Sequence, residues 1–323
     1  MAYPLAVTPY PAGSANPNPA YSGTFIPEIW AGKLIEKFYA TTVLAAISNT
    51  DYEGLISNQG DKVKIRTRPT VTIRDYTAGQ TLLVERPASN IVELTIDKGK
   101  YFNTICDDVH QTQADINMMT LWSEDASEQM KIVIDTEVLT SFLNQAAPAN
   151  RGTAAGAKSA SINLGATTTP IVVVARNPTA GQVEVTDLIV RLGQVLDEQN
   201  IPETGRWIVM PTWVASKIKM SELRDAALAG DGTSMLRNGK LGMIDRFTLY
   251  SSNLLPSGVA ATLAAGEWAI YAGHSHAFTF ATQMTKMETL RSESTFGTLM
   301  RGLQVYGSKV LDGTALAQAI VTQ

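Results

Sequence analysis

Residues 60–69, GDKVKIRTRP, alternate basic and apolar side chains almost without a break. In an extended chain successive side chains point to opposite faces. Lys62, Lys64, Arg66 and Arg68 then share one face, and Val63, Ile65 and Thr67 the other. The neighbouring run TVTIRDY has the same period. IVELTIDKGKYF sets Ile91, Glu93, Thr95 and Asp97 against Val92, Leu94 and Ile96. Between them TAGQTLLVERPASN carries Gly79, Pro87 and Asn90 and reads as a loop or tip. The pattern predicts a long β-ribbon over 61–102, with Gly54, Gly60, Gly79 and Gly99 as flex points. Such a ribbon has too little apolar surface to stand alone in water. It must lie on something, another copy of the chain being one choice.

Elsewhere the period is helical. In FIPEIWAGKLIEKFYATTVLAAI, Pro27 suits a first helical position and Glu28 the positive end of the dipole. Ile29, Trp30, Lys33, Leu34, Lys37 and Phe38 give an amphipathic helix over 27–40, with Gly32 its weak point. Residues 107–147 form the longest helical stretch. Met119, Trp122, Ala126, Met130 and Val133 recur at spacings of three and four, continued by Val138 and Phe142, and read as core. Glu124, Asp125, Glu128, Asp135 and Glu137 make the other side acidic, and Pro148 marks the stop.

Residues 148–170 are small, polar and rich in Gly, Ala and Thr, and read as a loop before a short strand at Ile171–Val174. TDLIVRLGQVLDEQNIP predicts a helix capped by Thr186 that buries Leu188, Ile189, Leu192, Val195 and Leu196. A buried strand RWIVMP, a helix TWVASKIKMSELRDAALA and a glycine-rich loop GDGTSMLRNGKLG follow. Then come strands FTLYSS, EWAIYAG, AFTFATQ, METLRSE and GLQVYG. Strands and helices do not alternate strictly, so the class is α+β and not a doubly wound parallel sheet. Residues 1–24 hold Pro4, Pro9, Pro11, Pro17 and Pro19 and read as an extended arm.

Composition narrows the function. The net charge is -4, whereas a chain whose main work is gripping nucleic acid carries a clear basic excess. Any nucleic-acid role is therefore local or indirect. Cys106 is the one cysteine, so no intrachain disulfide forms, and its setting between Ile105 and Asp107 suits a small buried hydrophobe. The first residues lack the basic and apolar regions of a secretory signal. No stretch nears the roughly 18 apolar residues of a membrane helix.

Catalytic signals are thin. The glycine-rich loop lacks GxxxxGK[ST], and no GxSxG elbow occurs. His274 and His276 share one strand face as a possible ligand pair, but no third ligand is near, so a turn or packing role is simpler. Asp107, Asp108 and His110 start a helix, where capping explains the aspartates. No catalytic, cofactor or metal site is expected.

In order, these stretches resemble the major capsid protein of tailed double-stranded DNA phages, the Hong Kong ninety-seven-type fold. FIPEIWAGKLIEKF with NTDYEGLISNQGDKVKIR is similar to the lead-in of its extended loop. DYTAGQ, LTIDKGKYF and DDVHQTQAD resemble the end of that loop and the start of the spine helix. RWIVMPTWVASKI resembles a strand and helix of the axial domain. NGKLGMIDRFTLYSSNLLP and ETLRSESTFGTLMRGLQVYGSKVL resemble the closing region. Residues 148–182 match least. The resemblance implies an arm at 1–26, a helix and peripheral lead-in at 27–54 and the extended loop at 55–104. It places the spine helix and peripheral domain at 105–182, the axial domain at 183–275 and closing peripheral strands at 276–323.

It also implies a subunit that assembles with itself into hexamers and pentamers of an icosahedral virion shell, put together in the host cytoplasm. Further implied partners are a scaffolding protein, a portal, a decoration protein and packaged DNA held without sequence-specific contact. In the family the extended loop reaches over a neighbouring subunit. The cations Lys62, Lys64, Arg66, Arg68 and Arg74 would then meet carboxylates of the next copy, with Glu124 and Glu128 as candidates. A plain solvated face and phosphate contact are the alternatives for the cations. For the chain, the alternatives are an encapsulin-like shell around a protein cargo and an enzyme using the histidine clusters.

Overall fold

The structure, a computed structural model, describes residues 40, 42–51, 62–67, 69, 71–87, 89, 91–113, 117–221, 242–258 and 263–323. The arm at 1–26, all but the last residue of the helix over 27–40, Gly54, Gly60 and Arg68 lie outside the described residues. So do the stretch 222–229, expected to continue a helix, and the glycine-rich loop up to Gly242.

A short helix α1 (Leu44–Ile47) precedes three strands, β1 (Lys62–Arg66), β2 (Ile91–Thr95) and β3 (Lys98–Asp107). β1 and β2 pair only with each other, antiparallel, with Lys64 opposite Glu93. The continuous strand read from IVELTIDKGKYF is therefore two strands in two sheets, parted at Ile96–Asp97. TVTIRDY forms no strand. Its alternation has no surface to bury one side against, so nothing fixes a ladder there.

Helix α2 (Asp108–Gln113) and the 24-residue α3 (Met118–Ser141) follow. The helical stretch expected over 107–147 thus begins inside a strand and ends at Ser141, with a turn before Pro148. Asn117 caps α3 by accepting the Thr120 N–H. The expected stripe is core only at its far end, where Val138 and Phe142 are buried and Met130 packs against them. Ile134, Val138 and Leu139 are buried, while Trp122 is 40% and Val133 45% exposed. Only the last third of the helix is covered, by α1 and by strands β10 and β11 defined below.

The rest builds a mixed sheet. β4 (Ile171–Val174), β5 (Gln182–Glu184), α4 (Val185–Glu198), β6 (Arg206–Met210) and α5 (Thr212–Met220) come first. β7 (Met243–Ile244), β8 (Phe247–Ser251), β9 (Trp268–His274) and β12 (Leu316–Thr322) complete it, with β10 (Phe278–Arg291) and β11 (Gly297–Val310) between the last two in the chain. α4 buries the expected face, but its N-cap is Glu184, and Thr186 makes no cap bond. AFTFATQ and METLRSE are one strand, β10, with a bulge between Thr282 and Met284.

Seven strands run in the order β5-β4-β12-β9-β6-β8-β7. Ile208, Met210, Ile270, Ala272 and Val321 turn to one face, under α4 and α5. Trp207, Val209, Tyr271 and Ile320 turn to the other, under the end of α3. Both faces are dry, which is why β6 is buried throughout. β12 has no antecedent in the sequence reading. Residues 276–323 were read as closing peripheral strands, but this last strand stands mid-sheet, between β4 and β9. β10, β11 and β3 form a separate three-stranded sheet.

Residues 148–182 fold back on this frame. Asn150 is buried; its amide donates to the carbonyls of Thr314 and Leu316 at 2.6 and 2.9 Å, and its oxygen accepts from Gln199. The Ile320 N–H donates to the Leu164 carbonyl at 2.9 Å. Glu198 accepts the N–H groups of Lys158 and Ser159 at 2.8 and 3.0 Å. The buried Arg206 donates to the Ile201 and Pro202 carbonyls and meets Asp197 at 2.7 Å, fixing the turn between α4 and β6.

Candidate assembly surface

The ribbon keeps the two faces its sequence dictates. Lys62, Lys64 and Arg66 are exposed, while Val63 and Ile65 pack on Leu94, Ile96 and Ala281. Beyond β1 the described residues of 71–87 are all exposed. The chain reverses at Thr77–Gln80, where the Gln80 N–H donates to the Thr77 carbonyl at 3.0 Å and Gly79 takes φ +88. Thr72 donates to Glu85 at 3.2 Å, and Arg74 lies 3.9 Å from the same carboxylate. Val71, Ile73, Tyr76, Leu82, Leu83 and Val84 all face solvent, Ile73 at 89% and Val84 at 92%. Six large apolar side chains on one exposed arm mark an interaction surface.

The cations divide. Lys64 lies 3.6 Å from Glu93 on the paired strand. Exposed pairs of this kind contribute about 0–1 kcal/mol. Among the described residues, Lys62 and Arg66 reach no carboxylate within salt-bridge distance. On α3, Glu124 is exposed, and Glu128 meets Lys131 at 2.7 Å one turn on.

Two members of the expected acidic face turn inward. Asp135 is 4% exposed and accepts the N–H groups of Val43 and Leu44 at 2.7 and 3.3 Å. Burial pushes its carboxyl up, against the pull of those two donors. Glu137 meets Lys98 at 3.0 Å and Lys100 at 2.6 Å, and Tyr306 donates to it at 3.1 Å. Burial opposes its charge, but the two ammonium groups and the hydroxyl outweigh it and hold the carboxyl down at about 2. The root of β3 is thereby bolted to α3. Sequence reasoning missed this contact, although Lys98 and Lys100 two apart on one strand face were its signal. Beside it an open groove of about 520 Å³ runs along Ile132, Val133, Thr136 and Thr140.

His274 ends β9 half-buried, while His276 just beyond it and His110 in α2 are exposed. The His276 N–H donates to His274 Nδ1 at 3.1 Å, and burial, with the Arg206 charge nearby, pushes the His274 imidazole down. His110 lies 3.7 Å from Asp107, and Asp108 takes a two-bond ion pair with Arg291. Among the described residues no group of three or more His, Cys, Asp or Glu could hold a metal, and no helix is long and apolar enough to cross a membrane.

Comparison with known proteins gives one family. A model of the family described as phage capsid protein matches residues 95–319. No curated protein matches. Among solved structures, a chain of Mycobacterium phage Che8 is 24% identical with a TM-score of 0.73, covering 93% of this chain and 98% of that one. The mature capsid of bacteriophage PhiM1 is 18% identical with a TM-score of 0.67, covering 98% and 99%. The capsid of cyanophage P-SCSP1u is 16% identical with a TM-score of 0.68, covering 93% and 94%. These likenesses carry the fold.

Proposed function

The chain belongs to the phage capsid protein family, and from that premise we propose how its copies are joined: the exposed ribbon of one subunit lies on the next. The carrying observation is the arm at 71–87, whose apolar side chains have no cover among the described residues. Burial of apolar surface drives association, and the charges choose the register. Of the described candidates, Lys62 and Arg66 are the cations left for a neighbour, and Glu124 is the carboxylate left to receive them. Lys64, Arg74 and Glu128 contribute less across subunits, because each already has a partner in its own chain.

The shell so built is icosahedral, of hexamers and pentamers, and forms the virion capsid around double-stranded DNA. A net charge of -4 keeps the subunit from gripping that DNA strongly. A scaffolding protein, a portal and a decoration protein complete the proposed set of partners. An encapsulin-like shell with a protein cargo has no observation of its own in its favour.

The test is electron microscopy with light scattering on the chain expressed alone and with a co-expressed scaffold. Closed shells or tubes of uniform curvature support the reading. Lys62→Glu with Arg66→Glu should cut particle yield, and Glu124→Lys should restore part of it. Normal yield from the double reversal would remove those cations from assembly.

A further inference from the structure

The ribbon joins the three-stranded sheet through Ile96 and Asp97, the two residues between β2 and β3. On the far side of this link everything is fixed: Lys98 pairs with Tyr306 in β11, and Glu137 holds both Lys98 and Lys100. On the near side, among the described residues, a small cluster holds the ribbon down, with Leu94, Ile96 and Ala281 as its buried members. Directly beneath the link lies Gly307. A Cβ there would stand 2.3 Å from the Thr95 carbonyl oxygen and 3.0 Å from the Ile96 Cα. Gly307 pairs across the sheet with Ala281, next to the bulge at Thr282/Met284. Ala281, the one alanine in the strands of this sheet, and Gly307 thus stand paired beneath the link.

We propose that Gly307 and Ala281 form a fulcrum whose height sets the tilt of the ribbon, and through it the angle between neighbouring subunits. This rests on the reading that the ribbon lies on the next copy. From Thr95 out to Gly79 the limb can span about 50 Å when extended. A lift of about 1 Å at the root, the least that an added methyl needs, moves the tip by several ångström. Tilt at that lever arm is curvature in the assembled shell.

Two readouts test it. In the unassembled chain, Ile96→Ala thins the seat from the ribbon side. Amide exchange should then rise about tenfold or more at 62–66 and 91–95, while β3 and β11 keep wild-type protection. In particles, Gly307→Ala should change diameter or give tubes, with the ribbon at a new angle in cryo-electron microscopy. Ala281→Ser raises the opposite side of the seat and replaces Gly307→Ala if that variant does not fold. Wild-type exchange in Ile96→Ala together with wild-type diameter in the particle variants would overturn the fulcrum. So would loss of protection in β3 and β11 alongside the ribbon, because ribbon and sheet would then be one body. Exchange is read on free subunits, so failure of the wild-type chain to form shells counts against the assembly reading alone.

Discussion

The Val43 N–H donates to Asp135 Oδ2 at 2.7 Å, across 92 positions of sequence. With the Leu44 N–H on the same oxygen, one buried carboxylate closes the start of α1 and fastens it to α3. Asp135→Ala leaves two buried N–H groups without acceptors, each costing about 1–3 kcal/mol. The variant should lose about 2–6 kcal/mol of stability in denaturant unfolding. Asp135→Asn, which keeps an acceptor oxygen, should lose less.

Acid should strike at Glu137. Its carboxyl sits at about 2 in the folded chain, below its ordinary 4.5. A lowered carboxyl stabilises the fold above the unfolded value and loses that contribution as pH falls through the folded one. The window is therefore about pH 4.5 down to 2. Glu137→Gln removes the titrating group, so the variant should start less stable at pH 7 and lose less over that window. Melting temperature against pH for both proteins checks this.

Glu198 does similar work for the loop at 148–170. Backbone N–H groups of Lys158 and Ser159 come first among the causes that bring its carboxyl to about 2. Glu198→Gln should leave the global melting temperature nearly unchanged. It should open the loop near Lys158 to trypsin several-fold faster, read by limited proteolysis at neutral pH.

Gly165 takes φ +76, and a Cβ there would lie 2.3 Å from the Ile320 carbonyl oxygen in β12. Gly165→Ala meets both a strained backbone and a backbone clash, so it destabilises by more than the roughly 1 kcal/mol that a compatible glycine-to-alanine exchange gains. It should lower the melting temperature by more than 5 °C. Gly152→Ala, with a similar φ but open space around it, should cost less.

The elements that could be read from the chain are those whose environment is set locally. Ile171–Val174 and five of the seven buried positions of α4 follow from hydrophobic period alone. The alternation at Lys62–Arg66 gave the correct faces because Leu94 and Ala281 supply an apolar floor. TVTIRDY has the same alternation and no floor, so it stays open. The stripe on α3 misled for a related reason. Helical period says which residues share a side, not whether anything covers it, and Trp122 and Val133 remain exposed. Asp135 and Glu137 counted as solvent-facing acids because their partners, Val43 and Lys98, are distant in sequence. Of the candidate cations, Lys64 and Arg74 turned out to have carboxylates opposite them in their own ribbon.

The place of β12 has a consequence for synthesis. Six of the seven strands of its sheet are made before it, and two of them, β4 and β9, are neighbours that only β12 can join. While the ribosome is still adding residues up to 322, that gap stays open and the sheet is in two halves. A subunit cut short by a premature stop codon would lack the strand that unites them. The strand that holds the sheet together is thus the last of the seven to be made.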